Sequence, residues 1–549
     1  MLQTKVCKTC QNNFPIEDAD TLFYEKIGVP SPSLCPLCRR RRRLNFRNER
    51  KLYRRTCDAC HKSMVSVYRE QAPFPVYCPA CWWSDTWNAS IFCRNYDSSR
   101  SFFEQWNELN KLVPHISLWQ IQNQNCEFSH DTSYNKNCYM LFGADYNQDV
   151  YYSVSVIKDK DCCDCFTVYE SERMYECTDC ITCQFCKYSQ LLRNCSTSDF
   201  SFDLHNCHFC FGCTGLRNKS YCWFNKEIGK EEFMRRYNAL VWTWPEIWEN
   251  IQKSFQASLS TPRRASVFRN CEESTGNYLG NCKNARVAFD AENCRDIAHS
   301  LLVVDSKDVF DSDIIYYNVE IAYESQTLIR NCQRVFFSYF LRDSKNTWYS
   351  NECYMSSDLF GCVGLRSAKN SILNKSYSPE EYKTLTAQIQ NDMKTRGELG
   401  EFFPVSMSPF GFNETCAQDY ADPLTQDQAV ALGYSWAEDL EKASQSQTYQ
   451  VPEKIGDVPE SIIHETLTCG RCYKNFRIAP QEYKFNKEMK VPIPSSCFDC
   501  RHTARIRRRG PRTLFNRTCS KCSAPIQTTY APGRPETTYC EKCYLESVY

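Results

Sequence analysis

Residues 7–38 read CKTCQNNFPIEDADTLFYEKIGVPSPSLCPLC and contain two Cys-x-x-Cys pairs, and residues 57–81 contain two more. Eight cysteines near the other end of the chain, from Cys469 to Cys543, repeat this arrangement, each 462 residues after its counterpart. Within each end, the first two pairs are separated by 24 residues and the last two by 17 residues. The chain therefore has two matching ends around a different middle.

Such spacings are typical of structural zinc sites with four cysteine ligands. Two Cys-x-x-Cys pairs supply all four corners of the tetrahedron that Zn²⁺ prefers, so no position stays open for catalysis. Disulfides are the alternative, but the first residues do not resemble a secretion signal, and in a reducing compartment these spacings indicate metal. We predict about four zinc ions per chain. The predicted ligands are Cys7, Cys10, Cys35, Cys38, Cys57, Cys60, Cys78, Cys81, Cys469, Cys472, Cys497, Cys500, Cys519, Cys522, Cys540 and Cys543.

The stretch KVCKTCQNNFPIEDADTLFYEKIGVPSPSLCPLCRRRRR, residues 5–43, resembles a small bacterial treble-clef family described only as probable zinc-binding domains. Residues 468–509, TCGRCYKNFRIAPQEYKFNKEMKVPIPSSCFDCRHTARIRRR, follow the same pattern, with Tyr483 and Phe485 in place of Phe23 and Tyr24. The whole layout is similar to a group of uncharacterised bacterial proteins with duplicated zinc-binding ends and a Cys-rich middle. The resemblance implies a fold and a metal, but no activity.

The composition describes a folded chain of several units. Its 549 residues are 42% hydrophobic and 14% aromatic, and a chain of this length is expected to form three or four units. It contains no run of eighteen apolar residues, so we expect no membrane span. Residues 1–81 carry 15 Lys and Arg against 7 Asp and Glu, and residues 465–549 carry 16 against 7. Because the whole chain has a net charge of +1, the middle is acidic, at −16.

Asn-Cys pairs recur through the middle of the chain, several of them 11 or 12 residues apart, with short strand-like segments between them. Short β segments that repeat with small residues at fixed positions are typical of a β-solenoid, and a β-sandwich is the competing interpretation. The stepwise recurrence favours the solenoid. The pairs are Asn125-Cys126, Asn137-Cys138, Asn194-Cys195, Asn206-Cys207, Asn270-Cys271, Asn281-Cys282, Asn293-Cys294 and Asn331-Cys332.

The middle is itself duplicated, because FGCTGLRNKSYCWFNKEIGKEEF (211–233) matches FGCVGLRSAKNSILNKSYSPEEY (360–382) at an offset of 149. Each copy runs into a predicted helix that caps its half of the solenoid. In the second copy, Ser378 and Glu381 form a predicted capping box around Pro379. We expect a buried stripe on each helix. These stripes are Ile247, Trp248, Ile251 and Phe255 in the first copy, and Tyr382, Leu385, Ile389 and Met393 in the second.

We therefore predict an α+β, β-rich protein, with treble-clef and zinc-ribbon pairs at both ends of a duplicated solenoid with helical caps. Phe102, Phe103, Trp106, Leu109 and Leu112 predict a helix before the solenoid. Thr425 and Gln428 predict a capped helix after it. The predicted divisions are an N-terminal two-zinc unit (1–85), a helical connector (86–124), solenoid half 1 with its cap (125–260), solenoid half 2 with its cap (261–396), a second connector (397–464) and a C-terminal two-zinc unit (465–549).

The central cysteines allow two interpretations. Cys177, Cys180, Cys183 and Cys186 form C-x₂-C-x₂-C-x₂-C, which is close to an iron–sulfur cluster loop. Cys207, Cys210 and Cys213 repeat the same spacing. At the offset of 149, however, Cys210 becomes Leu359, and a metal ligand cannot be exchanged for leucine. Since unpaired cysteine behaves as a small hydrophobic residue, packing is the favoured interpretation, with an iron–sulfur cluster or extra zinc as the alternative.

An arginine-rich run follows the second Cys-x-x-Cys pair at each end. Arginine is suited to phosphate because its planar guanidinium binds two oxygens at once, so we predict nucleic-acid contacts. A solvated or protein-facing surface is the alternative. The predicted contact residues are Arg39, Arg40, Arg41, Arg42, Arg43, Arg47, Arg54 and Arg55 at one end, and Arg505, Arg507, Arg508, Arg509, Arg512 and Arg517 at the other.

No GxGxxG, P-loop, HExxH or GxSxG pattern is present, so we predict a non-enzymatic protein. The leading hypothesis is a cytoplasmic zinc protein that binds nucleic acid or an RNA–protein assembly through its basic ends. The second hypothesis is a protein-binding scaffold with purely structural zinc sites, and the third is an iron–sulfur redox protein. No membrane association is predicted.

Overall fold

A computed structural model describes residues 3–438 and 445–548, apart from 317–319, 324–325, 330–332, 337–339 and 343. The N-terminal unit contains two hairpins, each followed by a helix that begins directly after a cysteine. Its elements are β1 (Gln3–Val6), β2 (Asn13–Ile16), α1 (Asp18–Ile27), α2 (Pro36–Leu44), β3 (Tyr53–Thr56), β4 (Ser63–Ser66), β5 (Val76–Tyr77) and α3 (Pro79–Trp82). Cys35 and Cys78 cap α2 and α3, and a proline follows each of them at the first helical position.

The predicted helix before the solenoid is confirmed as α4 (Phe102–Leu112). The side chain of Ser101 caps it, and Phe102, Trp106 and Leu109 are buried as expected. Two short strands, β6 (His115–Ile116) and β7 (Gln120–Ile121), then lead into the repeats. Strand β6 pairs with β5, so the N-terminal unit is joined to the start of the solenoid by a two-stranded sheet.

The middle of the chain is the predicted β-solenoid, with about 19 turns. Successive turns pair in parallel at a spacing of 12 residues, for example Lys136 with Gln148 and Gln148 with Lys160. The strands of the first half are β8 (Gln124–Glu127), β9 (His130–Ser133), β10 (Lys136–Asp145), β11 (Gln148–Ile157), β12 (Lys160–Cys163), β13 (Phe166–Tyr169), β14 (Thr178–Ile181), β15 (Gln190–Arg193), β16 (Ser196–Asp199), β17 (Phe202–His205), β18 (His208–Phe211), β19 (Ser220–Trp223) and β20 (Lys226–Glu227).

A left-handed backbone conformation recurs at every third residue from Gln122 to Phe224. Asparagine tolerates positive φ better than most residues, which explains its place in the repeated pairs. Asn125, Asn137, Asn194 and Asn206 all have φ between 50° and 54°. Their amides form ladders between turns, as in the 3.1 Å hydrogen bond from Asn194 Nδ2 to Asn206 Oδ1.

The residue after each left-handed position points into the solenoid, so every third side chain is interior. From Cys138 to Cys213 these interior residues are buried, and most are Cys, Ser, Val, Leu or Ala. The C-x₂-C-x₂-C-x₂-C motif is therefore the set of four interior positions in one 12-residue turn. Its spacing follows from the three-residue period of the backbone.

The second half of the solenoid begins after two helices and ends at another. Its strands are β21 (Arg263–Arg264), β22 (Phe268–Arg269), β23 (Gly276–Gly280), β24 (Lys283–Arg286), β25 (Ala288–Glu292), β26 (Arg295–Ala298), β27 (Leu301–Val304), β28 (Lys307–Phe310), β29 (Asp313–Tyr316), β30 (Glu320–Tyr323), β31 (Gln326–Ile329), β32 (Gln333–Phe336), β33 (Phe340–Arg342), β34 (Lys345–Trp348), β35 (Asn351–Tyr354), β36 (Ser357–Phe360), β37 (Lys369–Ile372) and β38 (Lys375–Ser376). The predicted pair Asn331-Cys332 lies outside the described residues.

A helix lies against the last turn of each half. After the first half, Phe233 of α5 (Lys230–Asn238) packs on Trp223, and α6 (Trp244–Leu259) follows. After the second half, α7 (Pro379–Arg396) starts with the predicted capping box of Ser378 and Glu381. Ile389 and Met393 are buried, with Tyr382 and Leu385 partly buried beside them.

The predicted buried stripe of α6 is only partly correct. Ile247 is buried, but Trp248 is 45% exposed and Phe255 is 43% exposed. Both residues border an open cleft, which explains why their helical spacing did not lead to burial.

The second connector contains α8 (Cys416–Tyr420) and α9 (Gln426–Ala431), and Thr425 and Gln428 form the predicted capping box of α9. The C-terminal unit repeats the N-terminal one. Its elements are β39 (Leu467–Thr468), β40 (Asn475–Phe476), α10 (Pro480–Met489), α11 (Phe498–Arg508), β41 (Phe515–Thr518), β42 (Pro525–Thr528), β43 (Thr538–Tyr539) and α12 (Glu541–Val548). Strand β43 pairs with β21, just as β5 pairs with β6.

Candidate metal centres and arginine interfaces

The sixteen predicted cysteines come together as four separate groups of four. Within each group the sulfur atoms all lie within 4.8 Å of one another. The groups are Cys7, Cys10, Cys35 and Cys38; Cys57, Cys60, Cys78 and Cys81; Cys469, Cys472, Cys497 and Cys500; and Cys519, Cys522, Cys540 and Cys543. In each group, one Cys-x-x-Cys pair lies in a turn and the other begins a helix.

The distances between sulfur atoms fit a tetrahedral metal ion. Cys10 Sγ lies 3.7 Å from Cys35 Sγ, and the corresponding distance from Cys472 to Cys497 is also 3.7 Å. The other two groups give 3.9 Å for Cys60 to Cys78 and 3.8 Å for Cys522 to Cys540. Thiolates about 2.3 Å from a central ion would be about 3.8 Å apart. All four groups are therefore shaped to hold a metal ion with four sulfur ligands.

Backbone N–H groups point at the first cysteine of several groups and favour its thiolate form. The N–H of Cys78 donates to Cys57 Sγ at 3.2 Å, and the N–H of Cys540 donates to Cys519 Sγ at 3.2 Å. Burial acts to raise the pKa of Cys519, but these N–H donors outweigh it and lower the pKa to about 6. The fold thus favours the thiolate of Cys519, whereas burial and the neighbouring thiols raise the pKa of Cys543, a member of the same group, to about 12.

The interior cysteines of the solenoid are arranged differently. Their thiols donate to backbone carbonyls, as Cys177 Sγ does to the carbonyl oxygens of Tyr175 at 3.4 Å and Cys186 at 3.3 Å. In the part of the chain that the structure describes, only the four groups at the ends bring ligand atoms together as a metal requires. This arrangement favours the packing interpretation of the central cysteines over the iron–sulfur one.

The arginine run of the N-terminal unit lies on α2, which begins at the metal group as predicted, but it faces the second half of the solenoid. Arg39 Nη2 contacts Asp311 Oδ1 at 2.8 Å, and Arg43 Nε contacts Asp313 Oδ2 at 2.8 Å. All four side chains are almost completely buried. Burial acts to raise the pKa of Asp311, but Arg39, together with His299 and Arg43, holds the pKa below its usual value.

The run of the C-terminal unit lies on α11 and faces the first half of the solenoid. Arg505 Nη1 contacts Asp164 Oδ1 at 2.9 Å and Glu176 Oε1 at 2.9 Å. Arg509 Nε contacts Asp179 Oδ1 at 2.9 Å. Burial raises the pKa of Asp179 to about 6, although Arg509 limits the rise.

Most of the other predicted nucleic-acid contacts are also engaged within the protein. Six of them lie next to carboxylates: Arg47 next to Asp131, Arg42 next to Glu401, Arg55 next to Asp58, Arg508 next to Glu176, Arg512 next to Asp290 and Arg40 next to Asp313. Two others donate to backbone carbonyl oxygens, Arg41 to Ala421 and Arg517 to Tyr530. Arg54 and Arg507 are exposed, and neither has a carboxylate partner among the described residues. Aspartates and glutamates of the middle therefore occupy most of these guanidinium groups.

The solenoid carboxylates that bind the arginines were not predicted from the sequence. The available signal was the excess of acidic residues in the middle, which matches the excess of basic residues at the ends. Asp164, Asp179, Asp311 and Asp313 are each buried at the surface where the N-terminal or the C-terminal unit packs. Isolated aspartates in a β repeat resemble turn residues, so their role was visible only once the units were placed together.

No model of a known protein family matches this chain, and no curated protein matches it. Within the described ranges, no helix has both the length and the apolar character needed to cross a membrane.

Proposed function

We propose that the chain is a non-enzymatic scaffold for protein partners, held in shape by four structural zinc ions. Zinc is the metal that Cys₄ groups of this spacing usually bind, and such groups leave no open coordination position for a substrate. The turn, hairpin and helix around the first group of each end support treble-clef units. A metal group with four cysteine ligands requires reduced cysteines, so we place the protein in a reducing compartment, the cytoplasm.

The observation that carries this proposal is the burial of both arginine runs against solenoid carboxylates. Arg43 and Arg505 are completely buried, and each lies within hydrogen-bond distance of a buried aspartate. A guanidinium held in this way is not accessible to a phosphate backbone. The runs thus support a role in assembling the protein, with metal-bound ends fixed onto the solenoid.

Nucleic-acid binding stays a prediction, and it would depend on the three exposed members of the set, Arg54, Arg507 and Arg508. Arg508 is already paired with Glu176. So few exposed arginines give a weak electrostatic attraction, since each phosphate contact contributes about 0.7–0.9 to the salt slope of binding. The scaffold therefore has the stronger support.

Cross-linking followed by mass spectrometry, with zinc-loaded protein in an extract of the source cells, tests the proposal. We expect protein partners whose recovery is unaffected by nuclease and lost when the zinc is removed by a chelator. Anisotropy measurements with RNA and DNA oligonucleotides at low salt provide the comparison. Partners that disappear on nuclease treatment, together with tight oligonucleotide binding, would contradict the scaffold and support the nucleic-acid hypothesis.

A further inference from the structure

An open cleft of about 410 Å³ lies between α6, the end of the first solenoid half and the C-terminal unit. One wall is aromatic and includes Phe200, Trp248 and Phe255, whereas the opposite wall is basic and includes Arg507 and Arg508. A volume of about 300–1,000 Å³ is typical of ligand-binding pockets. Two aromatic side chains that are more than 40% exposed on one cleft wall also indicate a binding surface.

The corresponding place at the other end of the molecule is filled by a segment of the chain itself. Phe402 and Phe403, which follow α7, are at most 1% exposed. The ring of Phe403 lies 4.3 Å from that of Trp106, and Phe402 packs edge-on against Phe46 at 5.4 Å. The preceding residue, Glu401, forms an ion pair with Arg42, in which Oε2 lies 2.8 Å from Nη1.

Two sequence offsets relate the filled place to the open cleft. The N-terminal unit and its C-terminal copy differ by 462 residues, and the two solenoid halves differ by 149. The residues that contact the segment 400–403 include Ser33, Arg42, Phe46, Trp106 and Tyr349. The counterparts of these five at the two offsets are Ser495, Ala504, Arg508, Phe255 and Phe200, and all five line the cleft. Phe103 and Pro30 also contact the segment, and their counterparts Gln252 and Pro492 lie outside the cleft lining. The cleft is thus the second copy of a site that holds Glu401, Phe402 and Phe403.

The aromatic residues show the effect of this difference directly. Trp106 is 1% exposed because Phe403 covers it, whereas its counterpart Phe255 is 43% exposed. The aromatic surface at the N-terminal unit is thus covered by the chain itself, whereas the equivalent surface at the C-terminal unit is left exposed.

Three arginines give the cleft a positive charge that is not neutralised by an ion pair. Arg263 is only 6% exposed, and its Nη1 has no hydrogen-bond partner among the described residues. Glu536, the carboxylate that lines the cleft near it, is bound by Arg534. Arg471 and Arg507 are exposed on the same cleft and form no ion pair within the described ranges. A carboxylate entering the cleft would therefore find donors ready to bind it.

We propose that this cleft binds an extended segment of a partner protein in which an acidic residue lies next to aromatic side chains. This occupant has the chemistry of Glu401, Phe402 and Phe403, the residues that fill the equivalent place. Its rings would cover Trp248 and Phe255, and its carboxylate would bind the arginine wall. The inference rests on the proposed scaffold function and gives that scaffold a specific site and a class of partner.

A fluorescein-labelled peptide with the sequence of residues 397–406, GELGEFFPVS, tests the proposal by fluorescence anisotropy with full-length, zinc-loaded protein. We expect saturable binding that weakens at least tenfold in Arg507→Gln and in Phe255→Ala. Both side chains are exposed, so we expect both variants to fold, and their zinc content and circular dichroism check this. Arg173→Gln is the matched control, because Arg173 is exposed on the solenoid and does not line the cleft.

Two altered peptides separate the two parts of the recognition. Replacing both phenylalanines by alanine should abolish binding, and replacing both glutamates by glutamine should weaken it and remove its dependence on Arg507. The proposal is wrong if the original peptide does not bind at millimolar concentration, or if all three peptides bind alike. It is also wrong if a single-stranded oligonucleotide binds and displaces the peptide at lower concentration. Should the peptide fail while protein partners are still captured from extract, the scaffold stands and the cleft is not its binding site.

Discussion

Arg43 and Asp313 form a buried ion pair in which Nε lies 2.8 Å from Oδ2, and Arg505 and Asp164 form an equivalent pair at 2.9 Å. The two arginines are 462 residues apart and the two aspartates are 149 apart, so both pairs join equivalent positions of the duplicated ends and halves. These two pairs are crossed, because Arg43 of the N-terminal unit contacts the second half and Arg505 of the C-terminal unit contacts the first. Each unit also contacts the other half, through Arg47 and Asp131 in one case and Arg512 and Asp290 in the other. Each Cys-rich end therefore connects the two halves.

A second pair of contacts follows the same relationship. The guanidinium of Arg366 lies 5.5 Å from the ring of Trp82, and its counterpart Arg217 donates to the hydroxyl of Tyr544 at 3.0 Å. Trp82 and Tyr544 are again 462 residues apart, and the two arginines are 149 apart. The chemistry of the contact has changed between the copies while its position has been kept. Docking of each end on the opposite half is thus a property of the duplicated architecture.

The metal groups predict a defined zinc content. Purified protein should contain about four zinc ions per chain, since each ion takes four thiolates. Cys35→Ser should unfold the N-terminal unit, which contains two of the four groups, and so lower the content to about two. The matched variant Cys497→Ser should do the same at the C-terminal unit. Elemental analysis together with limited proteolysis measures both effects. A zinc content near zero, with all thiols free, would contradict the metal sites.

The hydroxyl of Tyr544 should contribute to docking of the C-terminal unit. Tyr544→Phe leaves Arg217 and Asp203 without the hydroxyl that each contacts. Arg217 and Asp203 still contact each other at 2.9 Å, so the expected loss is that of hydrogen bonds to charged groups, about 1.5–3 kcal/mol in the free energy of unfolding. Urea denaturation measures this loss, and zinc content should be unchanged. Tyr530→Phe serves as a control, because no described hydrogen bond involves its hydroxyl; equal losses in both variants would argue against the contact.

Two aspartates of the interfaces should respond oppositely to pH. Burial raises the pKa of Asp179 to about 6 in the folded protein, above its value in the unfolded chain. The folded state therefore binds this proton more tightly than the unfolded state, and stability should increase as the pH falls from 7 to 5. The pKa of Asp311 is held below its usual value by Arg39 and Arg43 against the effect of burial. Its contribution is therefore present from pH 7 to 5 and is lost only below about pH 4.

Asp179→Asn and Asp311→Asn separate these effects in denaturation experiments at pH 7 and pH 5. Relative to Asp179→Asn, the wild type should be more stable at pH 5 than it is at pH 7. The difference for Asp311→Asn should stay nearly constant. Identical pH dependence in the two variants would show that the two carboxylates do not titrate as their surroundings indicate.

The interior cysteines should tolerate replacement by an apolar residue. Cys210 is completely buried, and its counterpart in the second half is Leu359. Cys210→Leu should fold, with a loss in unfolding free energy of about 1–3 kcal/mol because the core must repack. Protein purified without oxygen should be colourless. A brown protein with absorbance near 400 nm, bleached by this substitution, would instead establish an iron–sulfur cluster.

The cysteine groups, the repeat and the helix caps could be predicted because each depends on residues close together in sequence. A metal knuckle requires a fixed spacing, and the capping box of Ser378 and Glu381 spans four residues. The Asn-Cys pairs indicated the solenoid because the backbone requires a left-handed residue before each interior side chain. Such local requirements are visible in one sequence.

The role of the arginines could not be predicted, because it depends on contacts between residues that are far apart in the chain. Arg43 and Asp313 are separated by 270 residues, and nothing near either residue indicates the other. A run of arginines has the same sequence whether it faces phosphate or carboxylate groups. The same limit applies to Trp248 and Phe255, whose helical spacing predicts burial although the structure leaves them at a cleft.

A double-mutant cycle on Arg43 and Asp313 tests the central claim, that the arginine runs fasten the Cys-rich ends to the solenoid. The variants are Arg43→Met, Asp313→Leu and the combination, each measured by denaturation with zinc content as a control. Each single variant removes the partner that is 2.8 Å from a buried charge and leaves only a more distant one, Arg40 for Asp313 and Asp311 for Arg43. Each should therefore lose up to about 3–5 kcal/mol, whereas the double variant should recover much of that loss. The account would be contradicted if each single variant lost almost no unfolding free energy and the two losses simply added in the double variant. Reduced affinity for RNA in Arg43→Met would then indicate that this arginine faces nucleic acid.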